Sequence, residues 1–185
     1  GANPAGQLGL GMRTGDQLRP QRVGAEAGWR GLAAKARFNC ALRPDGALWC
    51  WGDNSDGQLG VGDTADRLAP VAVMPAARWA QVAMGPMHTC GIDDGGALWC
   101  WGLNDFGQLG LGNTADQRRP QRVGGETDWR AVAGGFEHSC GLRGDGALYC
   151  WGNNALAQLG VVGAPTRDTP TRVTAVDGAV TAVVT

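Results

Sequence analysis

Apolar and polar positions recur along this chain with a period of 50 residues. Apolar stretches open on a tryptophan at Trp29 (WRGLAA), Trp79 (WAQVAM) and Trp129 (WRAVAG). Eleven residues after each tryptophan comes a cysteine: Cys40, Cys90 and Cys140. A second apolar run follows, ALWCWG twice and ALYCWG in the last copy. A polar connection rich in Gly, Asn and Asp then leads to Pro70, Pro120 and Pro170, with Pro20 at the same phase. Short apolar runs bounded by Gly, Pro, Asn and Asp read as β-strands. Each unit is therefore expected to hold four: strand one from the Trp, strand two from near the first Cys, strand three in ALWCWG, and strand four after the Pro. Proline at a strand start fits an outer edge, where a missing N–H costs little. Four short strands per ~50 residues is the pattern of a propeller blade, so the fold class is all-β, with blades of four antiparallel strands.

The centre of the unit can be read residue by residue. CALRPDGALWCWGDNSDGQLG, residues 40–60, returns at 90–110 and 140–160 without slippage. Its loop is Pro44-Asp45-Gly46, then Asp94-Gly95-Gly96, then Gly144-Asp145-Gly146, with glycine always third. A three-residue hairpin loop is a type I turn ended by one left-handed residue, which suits glycine. That loop sets Arg43 opposite Ala47, Leu42 opposite Leu48, Ala41 opposite Trp49, and Cys40 opposite Cys50. If the closing pair is hydrogen-bonded, the cysteines form a non-hydrogen-bonded pair with Cα atoms ~4.5 Å apart, at the short end of disulfide geometry. Six cysteines permit 15 pairings. Repeat and register select Cys40–Cys50, Cys90–Cys100 and Cys140–Cys150 over six buried free thiols. Disulfides imply an oxidising compartment, so an extracytoplasmic location is expected: secreted, periplasmic or cell-surface.

Composition removes several function classes. Sixteen basic residues nearly cancel 17 acidic ones, unlike the basic footprint of a nucleic-acid binder. No apolar run is long enough for a membrane-spanning helix. The chain opens on Gly1 and carries no signal peptide, so it is expected to be a processed product or a fragment of a longer chain.

The residues AMGPMHTCGIDDGGALWCWGLNDFGQLG, ending at Gly110, resemble the repeat of the regulator of chromosome condensation family: an apolar strand, Gly, His-x-Cys, an apolar pair, a DG turn, WG-x-N and GQLG. The cysteine-paired version is similar to bacterial extracytoplasmic members. The resemblance covers nearly the whole chain and implies a seven-bladed propeller, of which this chain holds about half. It divides one repeat domain, 1–185, into a partial blade at 1–28 (a connection and a fourth strand), blades at 29–78, 79–128 and 129–178, and the first strand of a further blade at 179–185.

Two stretches depart from the repeat. The last copy has Ala155-Leu156-Ala157 where the others have Ser55-Asp56-Gly57 and Asp105-Phe106-Gly107. The first has Lys35-Ala36-Arg37-Phe38 where the others have Gly85-Pro86-Met87-His88 and Gly135-Phe136-Glu137-His138.

Catalysis and metal binding are poorly supported. The two histidines occupy a repeat position that also takes Phe38, so they read as packed residues rather than zinc ligands or a triad base. The run DNSDG from Asp53 becomes LNDFG and NNALA in the later copies, without the acid spacing of a calcium loop. Asn54, Asn104, Asn154, Gln58, Gln108 and Gln158 are expected to satisfy backbone groups in a long turn. No cofactor or metal is expected. Loops on a rigid scaffold commonly carry recognition, so the positions that differ between copies are the candidate partner-binding residues: Lys35, Arg37, Met87, Phe136 and Glu137, with Phe106 on the other connection.

The function expected is a non-enzymatic module for protein recognition or self-assembly. Its partner is a protein of unknown identity, with a second copy or the remainder of a larger propeller chain as alternatives; neither nucleic acid nor a membrane span is expected. A secreted enzyme inhibitor of the propeller type is the first alternative. Nucleotide exchange on a small GTPase coupled to chromatin binding is the second; neutral charge and paired cysteines speak against it.

Overall fold

The four-strand unit read from the pattern is realised three times. The structure, a computed structural model, describes residues 1–24 and 28–174; the strand expected at 179–185 lies outside the described residues. β1 (Gly31–Lys35), β2 (Phe38–Leu42), β3 (Leu48–Gly52) and β4 (Arg67–Val73) form the first sheet. β5 (Trp79–Met84), β6 (His88–Asp93), β7 (Leu98–Gly102) and β8 (Gln117–Arg122) form the second, and β9 (Trp129–Gly134), β10 (His138–Arg143), β11 (Leu148–Asn153) and β12 (Thr166–Arg172) the third. Every pairing is antiparallel between consecutive strands. β1 packs on β5 and β5 on β9, so the first strand of each blade is innermost and the fourth is the outer edge.

The hairpin register follows from its loop. Gly46, Gly96 and Gly146 hold φ of 82°, 77° and 81°. The Arg43 N–H donates to the Ala47 carbonyl at 2.9 Å, and the ladder runs Leu42 to Leu48, Ala41 to Trp49, Cys40 to Cys50. The three cysteine pairs stand at disulfide distance, with Cα atoms 4.1 Å apart in each.

Three details differ from the expectation. The outer strand does not follow its proline but contains it: β4 starts at Arg67 and β8 at Gln117, three residues before Pro70 and Pro120, and β12 starts at Thr166, four before Pro170. Pairing jumps from Cys50–Val71 to Gly52–Arg67, and Pro70 lies in that irregularity, where no ladder N–H is required. β1 begins at Gly31 rather than Trp29, although the Arg30 N–H still reaches the Leu42 carbonyl at 2.7 Å. Residues 17–23, at the phase of an outer strand, form no strand.

The apolar cores lie between blades rather than within them. One contains Phe38, Cys40, Cys50 and Leu59 from the first blade with Trp79, Met84 and Trp101 from the second. The next contains Cys90, Cys100 and Leu109 with Trp129, Val132 and Trp151. Each seam is locked by the same polar contact. The indole N–H of Trp101 donates to the Gln58 carbonyl at 2.9 Å, that of Trp151 to Gln108 at 2.9 Å, and that of Trp51 to Gln7 at 3.0 Å.

The turn carrying that carbonyl is held by its own side chains. The Asn54 amide donates to the Asp63 and Ala65 carbonyls at 2.9 and 3.1 Å and accepts from the Leu59 N–H at 3.0 Å. Asn104 repeats this with Asn113, Ala115 and Leu109, and Asn154 with Val161, Ala164 and Leu159. Gln58, Gln108 and Gln158 accept the amides two residues back. Gly57 and Gly107 hold φ of 77° and 75° beneath the next blade's outer strand. A Cβ there would lie 3.0 Å from the Arg118 Cα and 2.6 Å from the Asp168 Cα.

Gly107→Ala is accordingly expected to destabilise by about 2–4 kcal/mol, left-handed strain adding to overpacking. Ala157→Gly, at the same place in the third blade, is expected to be neutral or to stabilise by up to about 1 kcal/mol, because Ala157 already holds φ of 59°. Urea unfolding of the two variants checks the contrast.

Candidate functional site

The candidate residues fall at one end of the blades. Lys35 ends β1, Ala36-Arg37, Pro86-Met87 and Phe136-Glu137 sit in the turns between first and second strands, and Phe106 in the connection between third and fourth. In an antiparallel sheet these connections share an end. The backbone confirms it: Asp53, Leu103 and Asn153 donate their N–H groups to the carbonyls of Arg37, Met87 and Glu137 at 3.1, 2.9 and 2.8 Å. Since β1, β5 and β9 adjoin, the three inner turns follow one another around the axis.

Exposure separates the candidates. Phe136 is 63% exposed, a large apolar side chain in solvent. Arg37 is exposed, while Lys35, Met87, Phe106 and Glu137 are half-buried. The Glu137 carboxylate accepts from the Asn153 side chain at 2.6 Å, which fixes it beside Phe136. The first blade's turn is built differently from the others. Ala36 holds φ of 49°, a strained value for a residue with a Cβ, where the second blade has Pro86, whose ring fixes a negative φ.

The residue before each first cysteine was not singled out by sequence. Asn39 donates to the Gln7 carbonyl at 2.7 Å, Thr89 to Gln58 at 2.8 Å and Ser139 to Gln108 at 2.9 Å, beside the indole of the same blade. The signal was present: this position always holds a small hydrogen-bonding side chain. Also missed was the end of strand two at the opposite face, where the Arg43 guanidinium lies 4.4 Å from the Trp49 ring and Arg143 lies 5.5 Å from Trp129. In the second blade Asp93 takes that place and accepts the Trp99 indole N–H at 2.9 Å.

A predominantly apolar cavity of about 960 Å³ lies away from this face, between the N-terminal segment and the first blade, lined by Leu18, Val23, Trp29, Leu32 and Trp51. In the next repeat the equivalent space, between outer strand and following blade, holds β1 to β3. The cavity is the place of a blade's inner strands rather than a ligand site.

The repeat signature matches residues 45–92, 95–142 and 145–185, and a second form of it matches 29–58, 79–108 and 129–158. The chain belongs to the regulator of chromosome condensation (RCC1) repeat family. Its fold is similar to that of human WBSCR16, with a TM-score of 0.79 and 22% identity over 92% of this chain and 45% of that one. It is similar also to Prp20p of Saccharomyces cerevisiae, studied with its binding to Gsp1p and histones, with a TM-score of 0.78 and 22% identity over 90% of this chain and 44% of that one. The ultraviolet-B receptor UVR8 of Arabidopsis thaliana is 46% identical over 65 residues, 34% of this chain and 14% of the receptor. This chain therefore spans under half the length of these RCC1-repeat relatives.

Within the RCC1 repeat His88 is part of the seam between the second and third blades. His88 is fully buried, and its Nε2 lies 2.9 Å from the Ser139 hydroxyl of the next blade. Ser139 donates its own proton to the Gln108 carbonyl. His88 Nε2 must therefore carry the hydrogen and donate to Ser139, which leaves Nδ1 bare. This polarity is the reverse of a Ser–His nucleophile pair, in which the imidazole accepts the serine proton. Burial, with the nearby charges of His138 and Lys35, pushes the His88 pKa down to about 3; burial alone lowers that of half-buried His138.

At pH 7 both histidines are neutral in the folded state, and both titrate near 6.5 when unfolded. The unfolded chain then binds more protons below that value, so stability is full above pH 6.5 and falls as pH drops toward 3, by at most about 1.4 kcal/mol per pH unit for His88. His88→Phe, the residue found at the same place in the first blade, is expected to flatten this slope in urea unfolding followed from pH 7 to pH 4.

Proposed function

We propose that this RCC1-repeat chain is a non-enzymatic protein-recognition module working in an oxidising, extracytoplasmic setting. The observation that carries the reading is the gathering of the six candidate residues at one end of the blades, with Phe136 63% exposed among them. The positions that repeat are spent on the seams, while the six candidates lie at the turn end of a rigid frame with Arg37 and Phe136 exposed. Solvent-exposed aromatic and Arg side chains are the residues that most often anchor protein partners. Prp20p, which shares the fold, is a propeller with protein partners, Gsp1p and histones. Three cysteine pairs at disulfide distance support the oxidising setting. No helix among the described residues is long and apolar enough to cross a membrane.

A second copy is the less favoured partner. The Trp51 and Asn39 donors that a further copy's turn would meet are already taken by the chain's own Gln7 carbonyl, so a copy seated on the first blade could fill only the cavity beside them.

The test uses the chain as bait for extracytoplasmic proteins, beside the variants Phe136→Ala and Lys35→Glu/Arg37→Glu. A partner whose affinity falls about tenfold or more in either variant supports the reading. A partner indifferent to both, or substrate turnover by the chain, overturns it. Protein from its native source is expected to weigh about six daltons less before reduction than after, two hydrogens for each pair.

A further inference from the structure

Aspartate is followed directly by glycine at Asp45-Gly46, Asp56-Gly57, Asp94-Gly95, Asp145-Gly146 and Asp177-Gly178. The last of these lies outside the described residues. Such a step is open to an internal reaction, because the glycine nitrogen can reach the aspartate carboxyl carbon with no Cβ in the way. The reaction needs a free carboxyl group and a peptide nitrogen free to swing toward it. The fold withholds both at three of the four described steps.

In the first and third hairpin loops the aspartate is the second loop residue and the glycine the third. The Asp45 carboxylate accepts the Ala47 N–H at 3.0 Å, and that of Asp145 accepts the Ala147 N–H at 2.9 Å. The Gly46 and Gly146 nitrogens donate to the Arg43 and Arg143 carbonyls, each at 3.0 Å. At Asp56 the Ser55 hydroxyl donates to the carboxylate at 3.2 Å. Gly57 donates to the Asn54 carbonyl at 3.0 Å and is buried against Arg118.

The second hairpin loop is shifted by one position, with aspartate first and glycine second. Its bonds fall to the neighbours on either side. The Asp93 carboxylate accepts the Ala97 N–H and the Trp99 indole N–H, both at 2.9 Å. Gly96 closes the loop by donating to the Asp93 carbonyl at 3.0 Å. Asp94 and Gly95 are both exposed, whereas Gly46 and Gly57 are buried and Gly146 is half-buried. Neither the Asp94 carboxylate nor the Gly95 N–H has a partner among the described residues.

We infer that Asp94 is a site of spontaneous isoaspartate formation, selected by the fold over Asp45, Asp56 and Asp145. The Gly95 nitrogen attacks the side-chain carboxyl carbon of Asp94 and a C–N bond forms. The nitrogen gives up its proton and the carboxyl group its hydroxyl, which leave together as water, and the product is a cyclic succinimide. Water then opens the ring. Attack at the side-chain carbonyl restores aspartate; attack at the main-chain carbonyl leaves the chain running through the Asp94 Cβ, with a free α-carboxylate. The water lost is regained, and no electrons are exchanged. The altered loop is the one whose Gly96 carbonyl accepts the Trp129 N–H of the third blade at 3.1 Å. The modification therefore falls beside a contact between blades, at the end opposite the candidate recognition turns.

The test is ageing of the native chain at neutral pH and physiological temperature. Peptide fragmentation by mass spectrometry locates isoaspartate, and methylation of its α-carboxylate by an isoaspartyl methyltransferase in the separated peptides is the second readout. The product is expected at Asp94 roughly tenfold or more faster than at Asp45, Asp56 or Asp145, where hydrogen bonds must open first. In urea the four rates are expected to converge. Gly95→Ala is accommodated, since Asp45 and Asp145 occupy that place in the other loops and Gly95 holds no positive φ. This variant is expected to lose the Asp94 product. The inference is overturned by no isoaspartate at Asp94, by equal or faster formation at another of the four in the folded chain, or by a rate order that unfolding leaves unchanged. An undiminished Asp94 product in Gly95→Ala equally overturns it.

Discussion

The indole N–H of Trp51, Trp101 or Trp151 donating to the backbone carbonyl of a glutamine in the preceding unit is the contact on which the rest of this structure depends. A sheet of four short strands has two apolar faces and no core of its own, so a blade is stable only against a neighbour. Apolar burial supplies the attraction but is indifferent to register. A buried indole N–H is not: left unpaired it costs about 1–3 kcal/mol, so only one seating of blade on blade is acceptable. The neighbouring Asn39, Thr89 and Ser139 side chains donate to the same carbonyls and tighten that choice. The glycines of the GQLG turn follow from it, since the carbonyl reaches the indole only if the turn lies flat under the next strand.

This requirement divides the residues by role. Side chains that look like chemistry in the bare sequence, the Asn and Gln of the connection and His88, are consumed in satisfying seam and turn. His88 shows how completely: its one hydrogen goes to Ser139, whose own proton goes to Gln108. What is left for recognition is the set of turns where the repeat is not obeyed, and the topology brings these to one end. The seams that order the blades also shield the Cys40–Cys50 and Cys90–Cys100 sulfurs behind them.

Much of this was legible in the period alone. The hairpin register, and with it the opposition of Cys40 and Cys50, followed from a three-residue loop with glycine last. The edge position of the fourth strand followed from its proline. The strand boundary around Pro70 was not legible, because a bulge admits a proline inside an edge strand and local pattern does not reveal bulges. Nor was the seam contact, since Trp51 and Gln7 are 44 residues apart and a carbonyl has no sequence signature. The candidate recognition residues were visible only as exceptions to the repeat; their common face came from strand direction.

Hydrogen exchange of the tryptophan indole protons, followed by NMR, tests the seam most directly. If the contact to Gln58 and Gln108 holds the blades in register, the indole protons of Trp101 and Trp151 exchange only through global unfolding, with the free energy of the slowest strand amides. Exchange of those two protons by local opening, at rates like that of half-buried Trp29, would contradict the account.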